Sequence, residues 1–452
     1  MSNERSGFSS RLGFVLATAG SAVGLGNIWR FPYLAAKYGG GTFLLTYLIL
    51  TLTFGFSLMI TEVALGRKAG TSAIRAFGHF SKKHTFIGYL TTIIPFIIFP
   101  YYCVIGGWVP KYELLSIQGG IHNAASDTFF TGFISKSAEP MICVLVFLIA
   151  TTVVVVGGVK GGVERVSTIM MPVLIVLLIG VSLFCITRPG AMAGVVYYLK
   201  PNLKGFSPTT ILAALGQLFY SMSLAMGIMI TFGSYMPKKA DLEKSVTQVE
   251  IFDTGVAFLA GLMIVPAVFA FSNGDSSMLA KGPSLMFVML PKVFDSMAFS
   301  GVIAAVFFIL VLLAALTSSI SLLETLVAVL MDKFHMKRGT ACITMFIIAL
   351  LLAVPSSLGF GAWSNITILG FDFLDFFDFL TNSVMMPIAA IATCLLVSRV
   401  VGVQRIEEEV TRGGNPFRRK KIFTVMIKYL CPIFAAIILI SSIANAFGWI
   451  QM

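Results

Sequence analysis

Charged side chains are scarce in this sequence. Asp, Glu, Lys and Arg make up 12% of its 452 residues, while 57% of the residues are hydrophobic. A soluble globular domain carries about 25% charged residues, so this composition excludes that class and indicates an integral membrane protein. The repeated apolar runs favour one transmembrane bundle over the two or three soluble domains that the length alone would suggest.

Cysteine and histidine are also rare, with six and four residues. The cysteines follow no spacing typical of a metal or redox site, so we expect buried free thiols. No cluster of His, Cys or Ser nucleophiles lies at one membrane depth, and we therefore do not expect an enzyme. The start of the sequence does not show the charged segment, short apolar segment and cleavage site of a signal peptide, so none is expected.

Long apolar segments, in contrast, are plentiful. A helix needs about 20 apolar residues to cross a bilayer, and eleven segments reach this length. They are roughly 12–37, 42–66, 86–116, 140–156, 165–186, 208–235, 247–271, 298–331, 340–358, 380–401 and 424–447. The predicted fold class is an all-α integral membrane protein with 11 transmembrane helices.

Basic residues are distributed unevenly between the connections. With a cytoplasmic N-terminus, most of the 32 Lys and Arg residues fall in cytoplasmic segments, as the positive-inside rule requires. We therefore predict a plasma-membrane protein with its C-terminus outside. The net charge of +12 then reflects topology in a lipid bilayer, and no nucleic-acid partner is expected. Loop 402–423 is interpreted as an ordinary cytoplasmic connector, and connections 117–139, 187–207 and 272–297 as caps over an entrance.

The first span contains residues that disfavour a continuous helix. Its stretch 20–32, GSAVGLGNIWRFP, holds three glycines, an Asn, an Arg and a Pro. Glycine inside a helix costs about 1 kcal/mol relative to alanine, and proline about 3. In lipid the freed backbone groups must find partners, so a break here indicates a site lined by carbonyl and N–H groups. The alternative is a kinked structural helix with small residues at a packing face.

The sixth span is interrupted in the same way. Ser221, Ser223 and Gly227 lie in the middle of its apolar stretch. Paired breaks in spans 1 and 6 are expected when spans 1–5 and 6–10 form an inverted repeat. We therefore predict a single transmembrane domain, 1–452, with a first repeat at about 12–186, a second at about 208–401 and an extra span at about 424–447.

Seven stretches in spans 1, 2, 3, 5, 6 and 8 form a recognisable set. They are GSAVGLGNIWRFP (20–32), GGGTF (39–43), ITEVALGR (60–67), YYCVIGGW (101–108), KGGVERVSTIMMP (160–172), GQLFYSMS (216–223) and AALTSSIS (314–321). In this order and spacing, the chain resembles the neurotransmitter:sodium symporters, most of all their bacterial amino-acid transporters with eleven spans. Broken spans 1 and 6 are themselves typical of that family. Spans 9 to 11 match it in hydropathy alone.

The resemblance implies two sodium sites. Sodium is a hard cation that binds oxygen, and the carbonyls of a broken helix lack intrahelical partners. The first site would comprise the substrate carboxylate, the Ala22 carbonyl and the side chains of Asn27, Ser221 and Asp253. The second would comprise the carbonyls of Gly20, Val23 and Ala314 and the hydroxyls of Thr317 and Ser318. The alternative for these two hydroxyls is bonding within their own helix.

Asp253 stands where the family has an asparagine. Animal members bind chloride near this place, whereas chloride-independent bacterial members have a carboxylate in the neighbourhood. A carboxylate beside sodium would supply the negative charge itself, so we expect no chloride requirement. An intramembrane carboxylate is costly and indicates a function. The alternative is that Asp253 lies nearer the cytoplasmic surface, where charge costs little.

The resemblance also implies an amino-acid substrate. Bare N–H groups at Gly24, Leu25 and Gly26 suit a carboxylate, and Tyr102 matches the family tyrosine that also contacts it. Amine transporters of the family carry Asp in place of Gly24. The other expected lining residues are Ala22, Ile98, Tyr220, Ser221, Ser223, Met226, Ser319 and Leu322. This wall is apolar, and Met226 replaces a family phenylalanine with an adaptable side chain, which favours several hydrophobic substrates.

Further roles follow from the same resemblance. Glu62 would accept hydrogen bonds from backbone N–H groups of the two breaks. Arg30 would pair with Asp378, or with Asp375, to form the outer gate. Arg5 would pair with Asp332, near Tyr235, to form the inner gate, unless Arg5 is unpaired in a mobile tail. Surface ion pairs are individually weak, which suits gates that must open.

The predicted function is a sodium-coupled symporter that imports hydrophobic (aliphatic and aromatic) L-amino acids by alternating access. Proton coupling through Asp253 or Glu62 is the alternative within transporters. An ion channel would need a continuous polar pore, whereas the polar groups here cluster near mid-membrane. The sequence fixes neither the preferred amino acid, nor the stoichiometry, nor the oligomeric state.

Overall fold

The computed structural model describes residues 7–202, 206–275, 279 and 283–449. In these ranges the regular secondary structure is helical, and no β-strand forms. The helices, in chain order, are α1 (Arg11–Ala22), α2 (Gly26–Lys37), α3 (Gly41–Ala69), α4 (Ala73–Phe80), α5 (Lys82–Ile117), α6 (Ile121–Ala124), α7 (Phe129–Ile134), α8 (Ala138–Val156), α9 (Val159–Ile186), α10 (Ala191–Leu199), α11 (Pro208–Ser221), α12 (Ile228–Tyr235), α13 (Leu242–Phe271), α14 (285–295), α15 (Ser300–Phe334), α16 (Arg338–Leu358), α17 (Phe373–Val401), α18 (Val403–Val410) and α19 (Lys420–Ala446).

The described residues contain nine helices long and apolar enough to cross a bilayer, namely α3, α5, α8, α9, α13, α15, α16, α17 and α19. The bent pair α1 and α2 forms a further span with an angle of 57° between its halves. Helices α11 and α12 occupy the sixth predicted segment, which completes the eleven predicted spans. We call the face where span 1 begins the N-terminal face and the other the opposite face.

The predicted break in span 1 is short. Helix α1 ends at Ala22, and Val23 has an extended backbone with φ −73° and ψ 102°. Helix α2 begins at Gly26, so three residues separate the two halves. The carbonyls at the end of α1 therefore lack the partners that a continuous helix would give them.

The break in span 6 covers residues 222–227. Ser223 and Ala225 have φ values of 52° and 60°, and Gly227 has 71°. A left-handed backbone is strained for residues with a side chain and costs on the order of 1–3 kcal/mol. Contacts from neighbouring helices must hold this segment, and they are described below.

Helix α3 packs against α12 in direct backbone contact. A Cβ at Gly66 would lie 1.9 Å from the Ile230 carbonyl oxygen, and a Cβ at Gly233 would lie 2.4 Å from the Val63 carbonyl oxygen. No side chain fits between the two helices at these positions. Span 2 and the second half of span 6 therefore form one closely packed unit.

The connections and cysteines follow the predictions in part. All six cysteines are free, and all except Cys143 are buried. Short helices lie in the long connections: α6 and α7, α10, and α14. Pro283, just before α14, lines a cavity on the opposite face.

The connection 402–423 was predicted as an ordinary connector, and that prediction was wrong. It contains α18, whose Glu409 is 4% exposed and forms an ion pair with Arg67 of α3, which is 1% exposed. Composition shows this loop as polar and basic, but it does not show that one of its charges, Glu409, is buried against Arg67 of α3.

Candidate functional site

Helix α3 supports the break in span 6. Glu62 is 1% exposed, and its Oε1 accepts a hydrogen bond of 2.8 Å from the Ala225 N–H. The bond reaches a residue with a left-handed backbone, where no helical carbonyl is available. The predicted second contact, from Glu62 to the break in span 1, is not formed among the described residues, and Oε2 has no partner there.

Asp253 is at the centre of the first predicted sodium site. It is fully buried, so its charge is not exposed to solvent. Its Oδ1 accepts from Asn27 Nδ2 at 2.8 Å and from Ser221 Oγ at 2.7 Å, and Tyr47 Oη donates to Oδ2 at 3.2 Å. A carboxylate with only acceptor oxygens suits three donors. Tyr47 was not predicted, because it lies on span 2 outside the motifs.

The breaks of spans 1 and 6 meet at this carboxylate. Asn27 Oδ1 accepts from the Gly24 N–H at 3.1 Å, so its side chain also fixes the turn between α1 and α2. Ala22 lines the adjoining cavity together with Asn27 and Ser221. The structure thus brings together all four protein residues predicted for this site.

The second predicted site lies where α15 crosses the end of α1. Ser318 Oγ is 3.4 Å from the Gly20 carbonyl oxygen and 3.2 Å from those of Ser21 and Val23. A hydroxyl has one proton, so the carbonyls that converge here offer more acceptors than it can satisfy. Such a cluster of oxygens suits a hard cation.

Thr317 behaves differently from Ser318. Its Oγ1 lies 3.1 Å from the carbonyl oxygens of Leu313 and Ala314 in its own helix, as the alternative predicts. It still lies at the helix crossing, since a Cβ at Gly20 would be 3.2 Å from Thr317 Cβ. The structure therefore places Thr317 and Ala314 beside the cluster, while Ser318 reaches across to span 1.

A small cavity of about 30 Å³ lies between the two oxygen clusters. Most of its wall is apolar side chains and glycine backbone from both breaks, with additions from spans 3 and 8. Its lining residues are Ser21, Ala22, Gly24, Leu25, Gly26, Asn27, Ile98, Tyr102, Tyr220, Ser221, Ser223, Met226, Ile228, Ser318 and Leu322. No Asp, Glu, Lys or Arg is among them, so the side chain of a bound molecule would meet no charge.

Two glycines shape the polar end of this cavity. A Cβ at Gly24 would lie 2.6 Å from Ser318 Oγ and 3.3 Å from Tyr102 Oη, and one at Gly26 would lie 2.5 Å from the Tyr220 ring. The Tyr102 hydroxyl is buried close to Ser318 and the Leu25 backbone, and it makes no hydrogen bond of standard geometry among the described residues. It is therefore available to a polar group of a ligand.

One predicted lining residue is misplaced. Ser319 is absent from the cavity wall, and its hydroxyl lies 2.8 Å from Thr151 Oγ1 on span 4. A helix turns by about 100° per residue, so Ser319 faces away when Ser318 faces the site. Ser21 and Ile228 line the cavity although sequence reasoning missed them. Their positions next to the breaks were the available signal.

A larger cavity opens on the opposite face, with a volume of about 450 Å³. Arg30 and Asp378 both line it, as does Asp375, but no ion pair within 4.0 Å links Arg30 to either acid in the described structure. The Arg30 guanidinium lies 5.5 Å from the Tyr220 ring centre. Tyr220 lines both cavities, so its ring stands between them.

On the N-terminal face, the predicted partner of Asp332 lies outside the described residues, since these begin after Arg5. Asp332 itself accepts from the Ser72 N–H at 2.7 Å. Further groups close this face among the described residues. Phe8 packs edge-on against Phe232 and Tyr235, and its N–H donates to the Tyr235 carbonyl at 3.0 Å.

Two buried acids complete that closure, and neither was predicted. Ser9 donates to Glu164 through its N–H at 2.8 Å and its hydroxyl at 2.5 Å. Glu324, which is fully buried, accepts from Tyr235 Oη at 2.8 Å and pairs with Arg338. Helices α1, α9, α12, α15 and α16 thereby meet below the site.

The family model of the sodium:neurotransmitter symporters matches residues 5–132 and 130–449. The chain belongs to this family. An uncharacterized sodium-dependent transporter of Bacillus subtilis (strain 168), YhdH, is 35% identical over 413 residues, which cover 90% of this chain and 91% of that protein. One from Haemophilus influenzae is 33% identical, with coverage of 97% and 98%. This chain is therefore a multi-pass, sodium-dependent membrane transporter.

A solved structure and a more distant relative extend the comparison. The crystal structure of MhsT in complex with L-phenylalanine matches with a TM-score of 0.87 and 37% identity, over 97% of this chain and 100% of that one. The human sodium- and chloride-dependent GABA transporter 2 is 28% identical over 382 residues, which cover 73% of this chain and 62% of that protein. The family fold thus covers all the helices that build the site.

Proposed function

We propose that this family member is a sodium-coupled symporter that imports hydrophobic L-amino acids by alternating access. The observation that carries the proposal is the cavity between the two broken spans, which has an apolar wall and one polar end. MhsT, with similar structure, binds L-phenylalanine.

The polar end would bind the substrate carboxylate. The N–H groups of Leu25 and Gly26 lie at the start of α2, where the helix dipole favours an anion, and Tyr102 adds a free hydroxyl. The carboxylate would also approach the cluster around Asn27 and Asp253, so that sodium and substrate stabilise each other. Binding of each ligand then raises the affinity for the other by the same factor.

Sodium would bind at two places, both built on the break of span 1. The first is the cluster of Ala22, Asn27, Ser221 and Asp253, where the carboxylate supplies the negative charge. The second is the carbonyl cluster of Gly20 and Val23 around Ser318. Among the described residues no three His, Cys, Asp or Glu side chains form a metal site, so neutral oxygens would supply most ligands. This set suits Na⁺ and disfavours transition metals.

The closed N-terminal face indicates the side from which substrate would enter and the side that must open for release. Phe8, Tyr235 and Glu324 close the N-terminal face, and Tyr220 separates the site from the larger cavity on the opposite face. We assign the N-terminal face to the cytoplasm because the basic residues concentrate there. Substrate would enter past Tyr220, and release would require the N-terminal face to open.

Uptake into proteoliposomes tests this proposal. A panel of labelled amino acids is offered while the sodium and proton gradients are imposed separately. We expect leucine, phenylalanine or tryptophan to accumulate with an inward sodium gradient alone. Accumulation that requires a proton gradient and ignores sodium would contradict the proposal and favour coupling through Asp253 or Glu62. Ser318→Ala should reduce this sodium-driven uptake. Ser319→Ala is its control, because Ser319 lies outside the cavity.

A further inference from the structure

A buried ion pair joins the loop between spans 10 and 11 to the end of span 2. Arg67 Nε donates to Glu409 Oε1 at 2.7 Å, and its guanidinium also donates to the Glu409 carbonyl. Both side chains are at most 5% exposed. A buried ion pair rarely stabilises a fold more than apolar packing would, so its presence here needs an explanation other than stability.

The same arginine holds the loop between spans 6 and 7. Its Nη1 donates to the Ala240 carbonyl at 2.7 Å and lies 4.0 Å from Met236 Sδ. Lys238 Nζ donates in turn to the Arg67 carbonyl at 2.8 Å. Arg67 therefore links three segments: the end of α3, residues 236–240 and helix α18.

Helix α3 transmits this contact to the substrate site. Five residues before Arg67, Glu62 holds the break of span 6 through the Ala225 N–H. Gly66 packs against the backbone of Ile230 in α12. A movement of α12 must therefore carry α3 and Arg67 with it.

The loop is attached to span 7 at its other end. Glu243 of α13 accepts from the N–H groups of Arg418 and Arg419 at 2.7 and 3.0 Å. Arg419 also pairs with Glu250 at 2.9 Å. The end of the loop is thus fixed, and α18 stays close to Arg67.

We propose that Arg67 and Glu409 form a latch that holds the cytoplasmic face closed and that separates when α3 and α12 move to release substrate. The inference rests on the proposed transport function. It gives the 402–423 loop a part in the transport cycle, as the fixed side of this contact.

A second arginine makes the latch reversible. Arg412 Nη1 lies 3.5 Å from Glu409 Oε2, and its side chain is 48% exposed. When Arg67 moves away, Glu409 keeps Arg412 as an ion-pair partner. Opening therefore does not leave a buried carboxylate without a partner. An apolar contact in the same place would have no such replacement.

Backbone hydrogen exchange of residues 228–241, in the full-length protein in lipid nanodiscs, tests the latch. Arg67→Gln and Glu409→Gln should each speed this exchange about fivefold or more. The double variant should add little, because both changes remove one contact. Glu408→Gln is the matched control, because the Glu408 side chain is 69% exposed and its ion pair with Lys68 is 3.6 Å long. Unchanged exchange in the single variants, or fully additive effects, would overturn the proposal.

A cross-link gives a second test that keeps the buried pair intact. Lys68→Cys and Glu408→Cys, joined by a short cleavable bifunctional thiol reagent, would fasten α18 to α3. We expect uptake to fall to background while sodium-dependent binding remains, with recovery after cleavage. Uptake at the uncross-linked rate would show that the latch need not open. If the wild-type protein shows no sodium-dependent amino-acid binding, the proposed function is contradicted. The hydrogen-exchange experiment still tests the Arg67–Glu409 contact in that case, because it does not depend on transport.

Discussion

Asp253 shows at the level of one residue how an intramembrane charge is held. Three donors surround it: Asn27, Ser221 and Tyr47. A hydrogen bond to a charged group contributes about 1.5–3 kcal/mol, so together they offset part of the cost of burial. The human relative, whose name specifies chloride dependence, is more distant than the bacterial ones described above.

We predict that binding depends on sodium and not on chloride. Binding of a labelled amino acid in sodium gluconate should equal that in sodium chloride, because the carboxylate supplies the charge. Asp253→Asn should lower the apparent sodium affinity about tenfold or more, since a charge-assisted contact is lost. A clear loss of wild-type binding without chloride would refute the role given to Asp253.

The hydroxyls of Ser318 and Thr317 could each bind sodium or bond within their own helix, and the sequence does not distinguish these two roles. Ser318→Ala should weaken substrate binding most at low sodium, because Ser318 reaches the carbonyls of span 1. Thr317→Ala should have a smaller effect, since its hydroxyl is bonded within α15. Sodium titrations of binding measure both, with Ser319→Ala as the control. Equal sodium dependence in all variants would exclude a sodium site here.

Met226 should help to set the range of side chains accepted. It lines the cavity and is 4% exposed. A change of one methylene in an apolar pocket alters discrimination by about 1–3 kcal/mol, so Met226→Phe should penalise tryptophan more than leucine, and alanine least. Competition binding at saturating sodium measures the three. A uniform loss would mean that Met226 supports the break and does not contact substrate.

At the level of elements, the two breaks and the support from Glu62 were predictable, and the other partners were not. Glycine, proline and serine inside apolar runs identify spans 1 and 6 as interrupted, since they weaken any helix. The partners come from other helices. Tyr47 and Arg67 belong to span 2, far from both breaks in sequence, and only packing brings them to Asp253 and to Glu409. Ser319 was misplaced because a motif gives positions and not the rotation of a helix.

The contact between α3 and α12 gives a prediction for an element. Gly66→Ala should reduce thermal stability and substrate binding, because the new Cβ would lie 1.9 Å from the Ile230 carbonyl oxygen. Overpacking costs about 1–3 kcal/mol. Gly255→Ala in α13 is the control, since a Cβ there meets nothing within 4 Å. Melting temperatures in detergent compare the two, and equal values would exclude the close contact.

For the whole molecule, the charge distribution predicts the orientation. A cysteine at Lys83, which is exposed at the start of α5, should react with a membrane-impermeant thiol reagent after cells are permeabilised and not before. A cysteine at Asn123, exposed on the opposite face, should react in intact cells. Replacing Cys143, the one native thiol that is not fully buried, removes the background. The reverse pattern would invert the assignment.

The carboxylate of Asp253 belongs to the polypeptide, so it stays in the protein through the whole cycle. A carrier that balances sodium with bound chloride releases that anion with its cargo and moves one charge fewer per turn. With two sodium ions and a zwitterionic amino acid, this chain would carry two positive charges inward. Each charge adds about 2.3 kcal/mol per 100 mV of membrane potential, which is roughly a 50-fold gain in accumulation. In this role the fixed anion would make uptake more steeply electrogenic than a bound chloride would.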